Sequence, residues 1–231
     1  MIRLIFALLL LPLLAGAAPA PRDWSKAVTR SADGAYVIGN PAARVKLVEY
    51  LSYTCPHCAR YAQASTPTLR DTFIRSGSTR VELRHATRDR LDLAATVIAR
   101  CTGPAGFAAT SERIFATQED WYERGTRFEQ PNAARMALYP QGAKLRALAY
   151  GAGLAEIGKA RGLSDAALTA CFDDTAALLQ IARMSDASWK AIAAASAPQP
   201  GGTPTFVVNG KAYATLDWAG LEKILRAAGA R

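Results

Sequence analysis

Three kinds of hydrophobic pattern divide the chain. The run Val45-Lys46-Leu47-Val48-Glu49-Tyr50-Leu51 is nearly continuous in apolar residues, the signature of a strand covered on both faces. Arg80-Val81-Glu82-Leu83-Arg84-His85-Ala86 alternates and predicts a second strand. Between them Cys58, Tyr61, Ala62, Leu69 and Phe73 recur at helical spacing, with Pro67 expected to kink or end that helix. Strand, helix, strand makes a right-handed βαβ unit. Ahead of it, Ala35-Tyr36-Val37-Ile38 predicts a short strand stopped by Gly39-Asn40-Pro41, and polar Arg22 to Asp33 reads as a loose lead-in.

From Leu93 to about Ala195 the pattern contains no strand. Breaks at Gly103-Pro104, Gln130-Pro131, Tyr139-Pro140 and Gly162 leave helices over Leu93–Cys101, Ala105–Gln118, Lys144–Arg161, Asp165–Phe172 and Thr175–Ala195. Strand character returns at Thr205-Phe206-Val207-Val208. Asn209-Gly210 follows as a two-residue hairpin turn, and Lys211-Ala212-Tyr213 pairs back. Asp217 to Ala228 is amphipathic, with Trp218, Leu221, Ile224 and Leu225 on one face and Gly229 as its stop. The order is therefore βαβ, a block of helices, then ββα, an α/β fold with an all-helical insertion.

Composition narrows the class. The chain has 231 residues, half of them hydrophobic, which suits one cored domain with an insertion and excludes broad disorder. The formal charge is +9, but the arginines are scattered and no compact basic run exists, so nucleic acid is not an expected partner. Met1-Ile2-Arg3 is basic, Leu4 to Leu14 is apolar, and Ala15-Gly16-Ala17-Ala18 supplies small residues. That is the pattern of a secretory signal peptide, cleaved after Ala17 or Ala18, and it is too short for a stable membrane span. Export permits disulfides, so the four cysteines become candidates for pairing or redox chemistry.

Cys55-Pro56-His57-Cys58 follows directly on the strongest strand. Haem attachment needs His straight after the second Cys, and Ala59 stands there. A structural zinc site needs a second close ligand pair, and Cys101, Cys171 and His85 are each alone, so no metal is expected. A structural disulfide across two residues would constrain the unfolded chain little. Reactivity is the best use of this spacing. Cys55 begins a helix, where unpaired N–H groups and the helix dipole favour a thiolate. Pro56 suits the first turn, where its missing N–H costs nothing. His57 places a cation beside Cys55. A stabilised thiolate stabilises the reduced form and makes the disulfide a stronger oxidant. Cys58, one turn on, is placed to resolve a mixed disulfide. Glu49 is a costly carboxylate inside an apolar strand unless paired or used.

With Gly202-Thr203-Pro204-Thr205 ahead of the terminal ββα, the Cys-Pro-His-Cys junction resembles the thioredoxin superfamily; the helical insertion resembles its DsbA-like thiol:disulfide oxidoreductases. The resemblance covers about residues 34–228. It divides the chain into a signal peptide over 1–17, a thioredoxin-fold domain in two pieces, 34–91 and 196–231, and a helical insertion domain over 92–195. It implies that Pro204 is a cis-proline whose loop, with Thr203, binds substrate backbone opposite the dithiol. It implies that Glu49 is the buried acid that moves a proton to or from Cys58. No bound cofactor is implied. Substrates would be unfolded or partly folded exported polypeptides, and a DsbB-like membrane quinone reductase would re-oxidise the dithiol in the periplasm. Thr203 departs from the valine common in DsbA-like oxidases and is commoner in isomerase-like relatives. Pro56-His57 argues for an oxidase, and a reductase or isomerase using the same cysteines is the alternative. The short segment ahead of the first strand argues against the dimeric isomerase type. A peptide-binding chaperone with an incidental dithiol is a further rival.

Cys101 and Cys171 each end a predicted helix, and in an exported protein they are expected to pair as a structural disulfide, with regulation of the active pair as the sharper alternative. Trp121, Tyr122 and Phe128 cluster mid-insertion, as core, lid or peptide groove.

Overall fold

The computed structural model describes residues 22–231; the N-terminal signal pattern lies outside them. Its centre is a six-stranded sheet of β1 (Val28–Arg30), β2 (Tyr36–Gly39), β3 (Val45–Leu51), β4 (Thr79–His85), β5 (Thr205–Val208) and β6 (Lys211–Ala214), in the order β1-β2-β4-β3-β5-β6. The β3 and β4 strands are parallel, in register from Val45 opposite Thr79 to Leu51 opposite His85; the other pairs are antiparallel. The crossover between β3 and β4 is α1 (Pro56–Thr68), continued by a wider π-helical segment, Leu69–Ile74. Between β4 and β5 come α2 (Arg90–Cys101), α3 (Gly103–Ala116), α4 (Gln118–Ala137), α5 (Gln141–Ala152), α6 (Leu154–Lys159), α7 (Asp165–Asp173) and α8 (Thr175–Ser196), and α9 (Trp218–Ala228) closes the chain. This is a thioredoxin fold with a helical insert. Among the described residues no helix is long and apolar enough to cross a membrane.

Several elements depart from the pattern. The lead-in is ordered: β1 pairs with β2 through a turn in which the Ser31 amide donates to the Ala35 carbonyl and Gly34 takes φ +94°. Among its polar residues only Trp24 and Val28 are large apolar signals. In β3 only alternate residues, Val45, Leu47, Glu49 and Leu51, are buried; Lys46 is exposed, and Val48 and Tyr50 are half-covered, so the double covering suggested by the apolar run is not met. Pro67 sits inside α1 without ending it, and the chain widens to a π turn immediately afterwards.

Two helices differ more. The region expected to break at Gln130-Pro131 is one 20-residue helix, α4. Its buried Trp121, Gly125 and Met136 hold it through Pro131. At Gly125 a Cβ would come 2.6 Å from Leu91 Cδ2, so glycine is what lets α4 approach α2 this closely. Conversely, the single helix expected over Lys144–Arg161 is split at Gly153, whose φ of +79° ends α5 and starts α6. The end of the chain follows the pattern: the Lys46 amide donates to Asn209 Oδ1 at 2.8 Å, tying the β5–β6 turn to β3, and Asp217 caps α9 through the Gly220 amide.

Candidate active site

The parallel pair β3–β4 delivers the chain to one end of the sheet, where Ser52 to Cys55 turns into α1. Cys55 is the N-cap, extended at φ −84°, ψ 117°, with Pro56 at the first helical position. Its thiol is 4% exposed and Cys58 is fully buried; both are free thiols. The Cys55 thiol donates to the Thr203 carbonyl at 3.1 Å, and its thiolate form is favoured by the Cys58 thiol, the Thr203 side chain and the backbone N–H groups of Cys58 and His57. Together they outweigh its desolvation and bring its pKa down to about 5. Cys58 moves the other way, well above an ordinary thiol, first through burial and then through its bond to Cys55. One helix turn thus holds an acidic and a strongly basic sulfur.

Thr203 lies against both sulfurs. Its carbonyl is 3.1 Å from Cys55 Sγ, and the Thr203-Pro204 peptide bond is cis. The His57 imidazole is exposed with Nδ1 2.9 Å from Arg60 Nη2, so what reaches the sulfur is its main-chain N–H. Glu49, 5% exposed, accepts a hydrogen bond from the Tyr61 hydroxyl, and burial raises its pKa to about 7. Tyr61 stands one turn after Cys58 on α1, joining the carboxyl to the neighbourhood of the dithiol. Glu49 also forms part of the wall of a largely apolar cavity whose lining includes Arg70 and Glu112.

Residues the sequence did not single out support the loop. Asp92 is fully buried and accepts from the Ser52 hydroxyl at 2.6 Å, the Tyr53 amide at 2.9 Å and the Arg88 amide at 3.0 Å; burial lifts its pKa to about 7. Asp89 caps α2 and accepts from the Thr54 hydroxyl at 2.8 Å. Gln118 reaches the loop from α4. Tyr61 was visible through its three-residue spacing from Cys58, whereas Asp92 and Gln118 carried no local signal. Cys101 and Cys171 form a disulfide between the end of α2 and α7. Trp121 is core, its Nε1 donating to the Ile114 carbonyl at 2.8 Å, while Tyr122 is exposed beside Pro56 in a groove between α1 and α4. Among the described residues no three His, Cys, Asp or Glu side chains converge as a metal site.

The buried acids predict a pH dependence of stability. With the dithiol oxidised, Cys55 does not titrate. Glu49 in the fold, near 7, binds its proton more tightly than at the ordinary 4.5, so its contribution is whole below about pH 4.5 and is lost as pH rises to 7. Asp92 acts in the same direction from 3.8. The urea midpoint should fall over this window, and Glu49→Gln should remove up to about 3 kcal/mol of that fall. An identical pH profile in Glu49→Gln would mean that Glu49 is not held protonated.

A family model described as thioredoxin matches residues 31–227. Among solved structures, the protein-disulfide isomerase of Novosphingobium aromaticivorans is 28% identical, with a TM-score of 0.72 over 84% of this chain and 96% of that one. The alpha-DsbA1 of Wolbachia pipientis shares the fold at 16% identity, with a TM-score of 0.65 over 83% of this chain and 89% of that one. A Rickettsia conorii protein named "Putative protein-disulfide oxidoreductase" is 28% identical over 77% of this chain and 54% of its own length. The chain thus spans about half the length of the curated relatives it matches. A family match running from the first hairpin into the last helix, over this sheet and this strand-to-helix dithiol, makes the chain a member of the thioredoxin family.

Proposed function

We propose that the protein is an exported thiol:disulfide oxidoreductase that introduces disulfides into reduced, incompletely folded polypeptides. The observation that carries this is the Cys55–Cys58 dithiol at the start of α1, with Cys55 Sγ 3.1 Å from the Thr203 carbonyl of the cis Thr203-Pro204 loop; the opposed acidity of the two sulfurs fits it. In the oxidised protein a substrate thiolate attacks Cys55 Sγ, a mixed disulfide forms, and Cys58 leaves and takes a proton. Its raised pKa makes that protonation favourable, and Glu49, poised near 7, is the group suited to supply it through the Tyr61 neighbourhood. A second substrate thiolate then attacks the substrate sulfur, and Cys55 departs as a stabilised thiolate. Two electrons pass from the substrate dithiol to the Cys55–Cys58 disulfide. Thr203 and Pro204 line the groove beside the dithiol where substrate backbone would lie.

Return to the oxidised state needs an electron acceptor, for which a DsbB-like membrane quinone reductase is the chemical match. Export to the periplasm is supported by the N-terminal pattern and by the Cys101–Cys171 bond, which persists in an oxidising compartment. An isomerase is the second reading, favoured by the Novosphingobium neighbour's designation and by Thr203. The test is stoichiometric. Oxidised protein mixed with a reduced two-cysteine peptide should form the peptide disulfide and reduced Cys55–Cys58 in equal amounts. A protein that leaves the peptide reduced but keeps it from aggregating, equally well as Cys55→Ala, would be a chaperone instead.

A further inference from the structure

The loop that presents Cys55 is held by side chains of the helical insertion. Asp92 and Asp89, at the start of α2, take the Tyr53 amide and the Ser52 and Thr54 hydroxyls. Gln118, the first residue of α4, takes the carbonyls: its Nε2 lies 2.6 Å from the Tyr53 oxygen and 2.9 Å from the Cys55 oxygen. Both amide hydrogens are thereby used on two carbonyls of the loop, one of them that of Cys55 itself.

We propose that Gln118 is a positioning residue that sets the acidity of Cys55, so that the redox poise of the dithiol depends on the helical insertion. The inference rests on the reading of Cys55 as the exchanging thiol. Two physical effects carry it. The Cys55 carbonyl already accepts the Ala59 amide at 3.2 Å, the first bond of α1. A second donor fixes the Cys55–Pro56 peptide plane, and with it the extended ψ of 117° that sets the sulfur against the His57 and Cys58 N–H groups. The Cys55 carbonyl is a dipole on the thiolate's own residue, and the hydrogen bond from the Gln118 amide offsets its negative end.

The test is Gln118→Ala, with Gln118→Glu and Gln118→Lys beside it, in the full chain. Two quantities are read: the pH dependence of thiolate absorbance near 240 nm, and the equilibrium constant for oxidation by glutathione. Removing the amide should make Cys55 less acidic and shift the glutathione equilibrium toward the disulfide form by roughly tenfold, the equivalent of one pKa unit. Glu, which only accepts when ionised, should move both further; Lys, which donates, should restore acidity to the wild-type level or beyond. A purely structural role would lower the thermal midpoint while leaving both readouts in place. Gln118→Ala with wild-type acidity and equilibrium would overturn the proposal, and if Gln118→Glu does not fold, the Ala and Lys pair decides alone. A wild-type protein that reaches no equilibrium with glutathione would instead defeat the reading of the site itself.

Discussion

Replacing Cys55 by Ser should reduce disulfide exchange to the uncatalysed background, and replacing Cys58 by Ser should leave a protein that accumulates mixed disulfides. The asymmetry follows from the two sulfurs. With a pKa of about 5, Cys55 is almost wholly ionised at neutral pH, against a few per cent for an ordinary thiol near 8.5. Cys58 is fully buried and held protonated, so it cannot replace Cys55 as the point of entry. Its task is intramolecular: it is the sulfur that leaves when substrate attacks Cys55 in the disulfide, and in the reverse direction it attacks the Cys55 mixed disulfide from within one helix turn. Mass spectrometry of alkylated proteins after incubation with a disulfide-bonded peptide, whose bond the Cys55 thiolate attacks to give a mixed disulfide and a released peptide thiol, separates the variants. Exchange surviving in Cys55→Ser would make Cys58 the reacting thiol, against its burial. A Cys58→Ser protein that traps no partner would mean that substrate never bonds to Cys55.

The second large effect is on stability. Cys101 and Cys171 are 70 positions apart in sequence. Opening a loop of that length by a double Ser substitution should cost about 4 kcal/mol in the chain-entropy account, or roughly 10 °C in thermal midpoint for a protein of this size. The bond joins the far end of α2 to α7, whereas Asp89 and Asp92, which hold the Cys55 loop, lie at the near end of α2. A structural role therefore predicts a large midpoint shift with exchange retained. An unchanged midpoint with an altered glutathione equilibrium would assign the bond to regulation instead.

Much of this was legible in the sequence because the signals were local. The β3 boundaries follow from one apolar run, and the β5–β6 hairpin from Asn209-Gly210. The placement of Cys55 at a helix start follows from the apolar run before it, the helical spacing from Cys58 on and Pro56 at the first turn. What escaped was decided by tertiary contact. Pro131 reads as a break, yet α4 continues because Trp121 and Met136 are buried on either side of it. Gly153 reads as one more residue of an alanine-rich helix, yet its backbone turns left-handed. For the site, residue type and spacing pointed to Cys55 and Cys58 and marked Glu49 as a costly carboxylate, while Thr203, Pro204 and the role of Glu49 came from the resemblance to the thioredoxin superfamily. The cradle around them did not show: Asp92, Asp89 and Gln118 lie 35 to 65 positions beyond the loop residues they hold, and only the fold brings them to the loop. His57 carried a real signal whose physical content differed, since its backbone N–H rather than its imidazole meets the sulfur.

The most direct measurement of the central claim is the redox equilibrium of Cys55 and Cys58 in glutathione buffers, with free thiols alkylated and masses read. The stabilised Cys55 thiolate predicts an oxidising potential, closer to that of DsbA-type oxidants than to cytoplasmic thioredoxin near −270 mV. Cys101–Cys171 should stay closed throughout the titration. A potential at or below the thioredoxin value would contradict the oxidase account and leave the dithiol to work as a reductant.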